Sequence, residues 1–383
     1  MVASQEPAND STRAQTQEQA RRDKAGHLQQ PTRSFLERAL TQFKERRVME
    51  RFNEGFHGFH PIVGGIRSGS GLAGGAYVET EGIRSSAQLS IKGYQKYEIK
   101  LNVPLPNGFF ADLRATHRNF PQERFYGIGQ NSRKQDQTSF RLEDTNYVGR
   151  LGFSPATHIK AGVLAGWLQT NVGAGTYRRS PSIEKVFDST DAPGLANQPD
   201  YLQAGAFFDM DYRDHPGNPR SGGLYTASWT TFQDRKLGLY DFGQYDAEVQ
   251  QYFPFFNKRR VIVVRAKTTL TETADGQQVP FFMQPTLGGS EDLRGFREYR
   301  FRDRNMVVFN AEYRWEAFSG LDLAAFADAG QVAASAGDLH FGDFQTSYGA
   351  GFRFNTEKSV FLRMDLGFSR EGQRLFVKFG HAF

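Results

Sequence analysis

The 383-residue sequence contains no cysteine. This absence excludes disulfide bonds, thiolate nucleophiles and a lipid anchor attached to a cysteine. The sequence also lacks any apolar run near the roughly 18 residues that a transmembrane helix requires. Its formal net charge is only +5, and we therefore expect no nucleic-acid partner.

Residue types that support catalysis are sparse and scattered. Of the eight histidines, His57, His60, His117 and His215 fall at different levels of the predicted structure, and none stands at metal-ligand spacing with a second ligand. The chain has no Gly-x-Ser-x-Gly nucleophile motif. We therefore expect no enzymatic activity, no metal site and no cofactor.

The first 54 residues differ in composition from the rest. Residues 1–31 are mostly Gln, Ala, Arg, Asp and Ser, which predicts a disordered arm. Residues 32–54 carry an apolar stripe at helical spacing, which predicts an amphipathic helix that lies on the membrane, packs against protein or plugs a lumen. The stripe consists of Leu36, Ala39, Leu40 and Phe43. No charged and apolar leader is visible, so either a signal peptide has been removed or the chain is not exported.

Glycine and phenylalanine are abundant, with 40 and 35 residues. From residue 57 onward, apolar and polar side chains alternate with a period of two, which is typical of β-strands with two different faces. In residues 303–316, Val307, Phe309, Ala311, Tyr313 and Trp315 oppose Asn310, Glu312, Arg314 and Glu316. Residues 344–355 and 358–369 alternate in the same way. A soluble sandwich also alternates but hides its apolar face and needs turns of balanced length.

The connections between these segments are not balanced. Short connections alternate with long ones, which is the layout of an outer-membrane barrel with turns inside and loops outside. The short ones are 104–108, 154–157 and 355–358, and the long ones are 119–136, 172–199 and 272–302. We therefore predict an all-β fold, a transmembrane antiparallel β-barrel over residues 57–383 with about sixteen strands. Twelve or fourteen strands are the alternatives.

The chain ends in the strand-like segment RLFVKFGHAF. Leu375, Val377, Phe379 and Phe383 share one face, and the last residue is aromatic. This pattern resembles the C-terminal signal by which bacterial outer-membrane barrels are delivered and inserted, although His381 departs from it. The resemblance implies a bacterial outer-membrane location, with the lipid bilayer and the barrel-assembly machinery as partners.

The segment GGSEDLRGFREYRFRDRN, residues 288–305, carries a more specific likeness. It resembles the conserved loop of the bacterial surface antigen superfamily, which includes outer-membrane insertases and two-partner secretion transporters. The matching residues are Gly288, Gly289, Leu293, Arg294, Gly295, Phe296, Arg302 and Asp303. Further likeness is found in AEYRWE with Glu312, in AFADAG with Phe326, Asp328 and Gly330, in YRDHPGNPRSGG (212–223) and in RFYGIGQNS (124–132).

The alternation also gives this loop a physical role. It places Glu312 and Asp328 on the lumen side of adjacent strands, where an arginine folded in from loop 272–302 would meet both carboxylates. We therefore predict a lock inside the lumen, and the alternative is a charge cluster in extracellular solvent. The lock residues are Arg294, Gly295, Phe296, Gly288, Gly289, Glu312, Phe326, Asp328 and Gly330.

The first strands predict a weak seam. HPIVGGIRSGSGLAGGAYVE places six glycines in two predicted strands, and glycine weakens strand pairing. Closing the barrel requires this stretch to pair with the last strand. The seam residues are Val63, Gly64, Gly65, Leu375, Val377, Phe379 and Phe383. Alternatively, the glycines accommodate aromatic rings of neighbouring strands.

The resemblance implies insertion or translocation of polypeptide clients, or remodelling of the outer membrane. The sequence departs from the family because we expect no room for the periplasmic POTRA modules that collect clients. The alternatives are a structural surface barrel and a passive, weakly anion-selective channel. Predicted lumen-facing cations of that channel are Arg114, Arg118, Arg265, Lys267, Arg353 and Arg363. The sequence leaves the oligomeric state open.

Overall fold

The structure is a computed structural model that describes residues 18–20, 22–23, 58–356 and 358–380. Residues 18–20 and 22–23 are helical, within the arm where the sequence predicts disorder, and the guanidinium of Arg22 lies 3.4 Å from the carboxylate of Glu18 one turn away. The predicted helix 32–54 lies outside the described residues. No helix in the described part of the chain is long and apolar enough to cross a bilayer.

The described residues from 58 onward form β-strands joined by turns, loops and short 3₁₀ helices. The strands are β1 Phe59–Gly64, β2 Ala73–Thr80, β3 Ile83–Ser90, β4 Gln95–Pro104, β5 Phe109–Phe125, β6 Thr138–Ala156, β7 Ile159–Ala174, β8 Asp200–Asp211, β9 Gly222–Asp234, β10 Phe242–Phe255, β11 Arg260–Thr273, β12 Thr286–Leu287, β13 Phe301–Arg302, β14 Asn305–Phe318, β15 Leu321–Ala333, β16 Gln345–Asn355, β17 Val360–Ser369 and β18 Gly372–Lys378. The 3₁₀ helices are Pro106–Gly108, Lys134–Asp136, Ile183–Lys185, Phe281–Met283, Ala336–Asp338 and Phe341–Asp343.

Sixteen strands form one antiparallel sheet in sequence order, from β1 to β11 and then from β14 to β18. The two short strands β12 and β13 pair with each other inside the connection between β11 and β14. The sheet curls into a nearly closed barrel, which confirms the predicted fold class and the predicted number of strands.

The two faces of the strands separate as the alternation predicts. In β14, Phe309, Tyr313 and Trp315 point outward and are exposed, whereas Glu312 and Arg314 point inward and are buried. Other strands contribute to the same outward apolar surface. Its members include Leu113, Tyr147, Val163, Trp229, Val249 and Val264. A continuous apolar outer surface with a polar interior is the arrangement of a barrel that faces lipid.

The two ends of the barrel differ in their connections. One end has the turns 81–82, 105–108, 157–158, 256–259, 319–320 and 356–359, together with the longer segment 212–221. The other end has the connections 65–72, 91–94, 126–137, 175–199, 235–241, 274–304, 334–344 and 370–371. We call these the turn end and the loop end. The predicted alternation of short and long connections is confirmed, with segment 212–221, the four-residue connection 91–94 and turn 370–371 as the three departures.

The glycines near the first strand are distributed differently from the prediction. Gly65, Gly69 and Gly71 lie in the loop 65–72 rather than in a strand. Gly69 and Gly71 have φ values of +85° and +76°, which a strand does not allow. The Ser70 hydroxyl accepts hydrogen bonds from the backbone N–H groups of Ile66 and Arg67, which closes this turn. The sequence prediction of glycine-rich strands is therefore correct only for Gly64, Gly74 and Gly75.

The assignment of outer and inner faces makes a prediction for two valines. Val264→Arg places a charge on the lipid-facing surface near the middle of β11, and we expect it to lower the free energy of unfolding by about 2–4 kcal/mol. Val148→Arg is the matched control, because Val148 borders a cavity on the lumen side of β6. Equilibrium unfolding in phosphatidylcholine vesicles, followed by tryptophan fluorescence, measures both. Equal losses in the two variants would contradict the assigned faces.

Candidate functional site

Loop 274–304 folds back into the barrel and carries its own apolar core. β12 and β13 pair through Thr286 with Arg302 and through Leu287 with Phe301. The loop side chains pack against inward-facing residues of β14 and β15. The buried members of this cluster are Leu287, Leu293, Phe296, Phe301, Met306, Val308 and Val332. This core fixes the loop against the inner wall formed by β14 and β15.

Arg294 extends from this loop to the wall and is 1% exposed. Its Nε and Nη2 donate to the two carboxylate oxygens of Asp328, at 3.1 and 2.7 Å, and its backbone N–H donates to the same carboxylate at 3.1 Å. Its Nη1 donates to Glu312. The guanidinium also lies 3.6 Å from the ring centre of Phe326. One side chain therefore contacts two carboxylates and an aromatic face, which is the recognition geometry for which guanidinium is suited.

Both carboxylates have further partners on the wall. Glu312 accepts from Arg314 at 2.7 Å and from Arg353 at 2.9 Å. Asp328 accepts from Asn310 at 2.9 Å and from Ser347 at 3.1 Å. These contacts connect β14, β15 and β16 through pairs of side chains that the sequence alone does not identify as partners.

The ion pairs continue to β17. Arg353 donates to Asp365 at 2.6 Å, and the Nε of Arg363 lies 3.3 Å from the same carboxylate. Arg363 also donates to the carbonyl of Ser290 in the loop at 2.9 Å. We define the arginine network as Arg294, Arg314, Arg353 and Arg363 with Glu312, Asp328 and Asp365. Its members are at most 3% exposed, so removing one partner leaves a buried charge uncompensated, at a cost of about 3–5 kcal/mol.

Four inward positions, in a row across neighbouring strands, explain how the loop backbone can lie so close to the inner wall. Glu312 pairs with Phe326, Phe326 with Gly349, and Gly349 with Gly367 across successive strands. A Cβ at Gly349 would lie 2.6 Å from the Phe326 ring, and one at Gly367 would overlap the carbonyl oxygen of Arg294. The two glycines therefore form a hollow in the wall that holds the ring of Phe326 and the backbone of the loop.

The structure brings the nine predicted lock residues together. Gly288 and Gly289 adopt φ values of +111° and +105° where the loop turns, and a Cβ at Gly330 would lie 3.1 Å from Leu287. Gly295 lies against the backbone of β17, and Phe296 is fully buried in the loop core. The segment thus lies inside the barrel, not in extracellular solvent as the alternative held.

The predicted seam residues lie at the two edges of the sheet. β1 pairs with β2 and β18 with β17, and no backbone pairing joins β1 to β18 within residues 58–356 and 358–380. Val63, Leu375 and Val377 point outward and are more than half exposed. A Cβ at Gly64 would lie 3.5 Å from the Cβ of Phe379, so these two positions meet across the seam. Gly65 lies in loop 65–72, and Phe383 is outside the described residues.

The six lumen-facing cations divide into two groups. Arg265 is buried between Glu248 and Asp292, at 2.7 and 3.3 Å, and Arg353 and Arg363 belong to the arginine network. The other three border cavities inside the barrel. Arg114 and Arg118 line one of about 450 Å³, and Lys267 lines another.

Sequence reasoning missed several partners of this site. Arg220, in segment 212–221, donates to both oxygens of Asp322 at 2.9 and 3.0 Å, and Gly217 bridges to Ser359 in the turn 356–359. This segment therefore contacts the barrel wall at the turn end. Asp365 lies on the polar face of the alternating segment 358–369, but its pairing with Arg353 depends on strand register, which the alternation does not reveal.

The hollow predicts a specific effect of Gly367→Val. Valine suits a strand, but its Cβ overlaps the Arg294 carbonyl, so we expect the loop to leave the wall while the barrel still forms. Limited trypsin digestion, with the fragments identified by mass spectrometry, detects this as new cleavage after Arg297 or Arg304. Gly74→Val is the matched control, because a Cβ at Gly74 meets no atom within 4 Å. A loop that stays resistant in Gly367→Val would show that the hollow does not hold it.

Comparison with known proteins supports the family resemblance. Residues 80–379 match the Omp85 superfamily domain. The fold is similar to BamA from Haemophilus ducreyi lacking POTRA domains 1–3, with a TM-score of 0.59 and 15% identity over 90% of this chain and 77% of that chain. It is also similar to CdiB from Escherichia coli, with a TM-score of 0.51 and 12% identity over 83% of this chain and 62% of that one.

A third similar structure is CdiB from Acinetobacter baumannii, with a TM-score of 0.47 and 11% identity over 84% of this chain and 59% of that one. The chain thus spans less than two thirds of both CdiB chains. No curated protein matches the sequence. The family domain covers well over half of the chain, which confirms the predicted resemblance and outer-membrane location. The chain belongs to the Omp85 superfamily of outer-membrane β-barrels.

Proposed function

We propose that this barrel inserts or translocates polypeptide clients at the outer membrane, or remodels that membrane. In this proposal, loop 274–304 is a lock held by the arginine network, and the β1–β18 seam is a lateral exit. The role is mechanical and involves no catalysed bond change. The observation that carries the proposal is Arg294, buried within the lumen and bound to Asp328 and Glu312.

A lock must hold one state and still be releasable. The loop occupies lumen space that a passing chain would need, and it is attached to the wall through charged groups as well as through its apolar core. Ion pairs lose strength when water reaches them, because the effective dielectric constant rises. Entry of water or of a polar client chain would therefore weaken the attachment of Arg294 to Asp328.

The seam offers a route for a client strand. β1 has six residues, and its free edge presents backbone N–H and C=O groups that can pair with another strand. Because β18 is not joined to β1 by a ladder in the described residues, separating these edges breaks few hydrogen bonds. Polypeptide clients with strand-forming segments fit this edge best.

A cysteine pair at the seam tests the lateral exit. Gly64→Cys/Phe379→Cys places two Cβ atoms within the range of a disulfide, and the chain has no native cysteine to interfere. In proteoliposomes, we expect the oxidised variant to lose its acceleration of the folding of an added eight-stranded outer-membrane barrel. Gel mobility of the unheated client measures folding, and reductant restores the activity.

The matched control joins two strands that stay paired. Ala311→Cys/Ala327→Cys lies on the outer face of β14 and β15, where the two residues are directly opposite. We expect oxidation of this pair to leave the activity unchanged. Full activity in the oxidised seam variant would count against a lateral exit.

A second candidate function is a passive, weakly anion-selective channel. The cavity of about 450 Å³ on the inner wall of β4–β6 favours it, because cations outnumber carboxylates around it. The cations are Lys96, Lys100, Arg114, Arg118 and Arg150, and the carboxylates are Glu98 and Asp112. A lumen wall with this charge excess attracts small anions.

Planar-bilayer conductance separates the two candidates. The lock predicts a nearly closed state with rare openings in the wild-type protein and more frequent openings in Arg294→Ala. Arg178→Ala is the control, since Arg178 is exposed in loop 175–199. The channel would instead be established by a large, steady wild-type conductance that Arg294→Ala does not alter. The anion preference of that conductance would fall in Arg114→Glu.

A further inference from the structure

A second cluster of arginines lies at the loop end, apart from the arginine network. Four guanidinium groups and one carboxylate line a cavity of about 420 Å³ between the ends of β5 and β6, loop 175–199, loop 274–304 and β18. The charged lining consists of Arg124, Arg179, Arg297, Arg374 and Glu298. Gln137 and Tyr177 are the polar uncharged members.

The acceptors around this cavity do not provide every arginine that lines it with an ion pair or a complete set of hydrogen bonds. Arg124 is paired with Glu298 at 2.6 Å, and Arg297 donates to the neutral side chain of Gln137. The Nε of Arg374 is buried and has no hydrogen-bond partner in the described part of the chain. Arg179 is exposed, and within the same residues it has neither an ion pair nor a side-chain hydrogen bond.

This arrangement favours an anionic ligand. Guanidinium groups that converge on one cavity repel each other, and a single carboxylate leaves a formal excess of three positive charges. A phosphate group presents several oxygens, which can accept from more than one guanidinium at once. A buried donor without an acceptor is costly unless a ligand supplies the missing oxygen.

The position of the cavity points to the membrane surface. β18 is an edge strand of the seam, and its outward residue Leu375, which is 63% exposed, borders the same cavity as the inward Arg374. The first three strands are short and reach the loop end only at Gly64, Ala73 and Ser90, so the wall beside the seam is low. A group at the surface of the outer leaflet can thus reach the cavity over the seam.

We propose that this cavity binds a phosphate group, carried by the headgroup of an outer-leaflet lipid or present as a free anion. Arg374 and Arg179 bind the phosphate oxygens, and Arg297 exchanges its bond to Gln137 for one to the ligand. Arg124 stays paired with Glu298 and contributes long-range attraction. The site shares no residue with the arginine network, so it does not rest on the proposed translocation.

Ligand titration of the full-length protein in detergent tests the site. The probes are diphosphorylated lipid A and its dephosphorylated form, measured by native mass spectrometry, and inorganic phosphate, measured by calorimetry. In Arg179→Gln/Arg374→Gln we expect affinity for the phosphate-bearing probe to fall about a hundredfold, about tenfold for each lost guanidinium. Arg178→Gln/Arg370→Gln is the matched control, since both residues are exposed nearby and neither lines the cavity. Heat-dependent gel mobility verifies that each variant is folded.

The outcomes distinguish the source of the phosphate. Binding of diphosphorylated lipid A, but not of its dephosphorylated form or of inorganic phosphate, identifies a lipid headgroup. Binding of inorganic phosphate alone identifies a free anion. The proposal is overturned if no phosphate-bearing probe binds the wild-type protein, or if the paired arginine variant binds as tightly as the control.

Discussion

An arginine removed from water inside a barrel must be paired, and the structure of this protein depends on how Arg294 meets that requirement. Its carboxylate partners lie on adjacent strands, at Glu312 and Asp328. A register slip of one residue would turn an entire strand face outward and would place such a carboxylate in lipid. The same pairing requires the hollow at Gly349 and Gly367, because any larger residue there would keep the loop from the wall.

The position of loop 274–304 links the lumen to both sides of the seam. On one side, Arg300 donates to Glu371 in the β17–β18 turn at 2.7 Å, and Ser369 at the end of β17 donates to the Gly295 carbonyl at 2.8 Å. On the other side, Tyr299 accepts from Arg67 and donates to the Ser68 carbonyl, both at 2.6 Å, in the loop that joins β1 to β2. Movement of this loop would therefore release contacts at both edges together, which couples the proposed lock to the proposed exit.

The sequence predicts well whether a side chain points into the barrel or out of it. It predicts poorly how neighbouring strands are offset along the barrel axis. Alternation was sufficient for sixteen strands and for the inward direction of Glu312 and Asp328, since the side-chain period in a strand is two. The neighbours of these carboxylates depend on the offset between strands, which alternation does not contain. The alternation of residues 344–355 and 358–369 therefore places Arg353 and Asp365 on the polar faces of their strands without showing that they are partners. Glycines were equally ambiguous, because Gly64 in a strand and Gly69 in a turn look alike until φ is known.

The combination of charged and apolar contacts gives the loop two different attachments. The cluster around Leu293 and Phe296 stabilises the folded loop by excluding water. The arginine network adds much less net stability, since pairing in a buried site offsets a large desolvation cost. The network instead fixes the position of the loop on the wall, because only one placement of Arg294 satisfies both Asp328 and Glu312. In the proposed release, water that enters the lumen hydrates the separated charges, and the loop must also withdraw its apolar side chains from Met306, Val308 and Val332 of the wall.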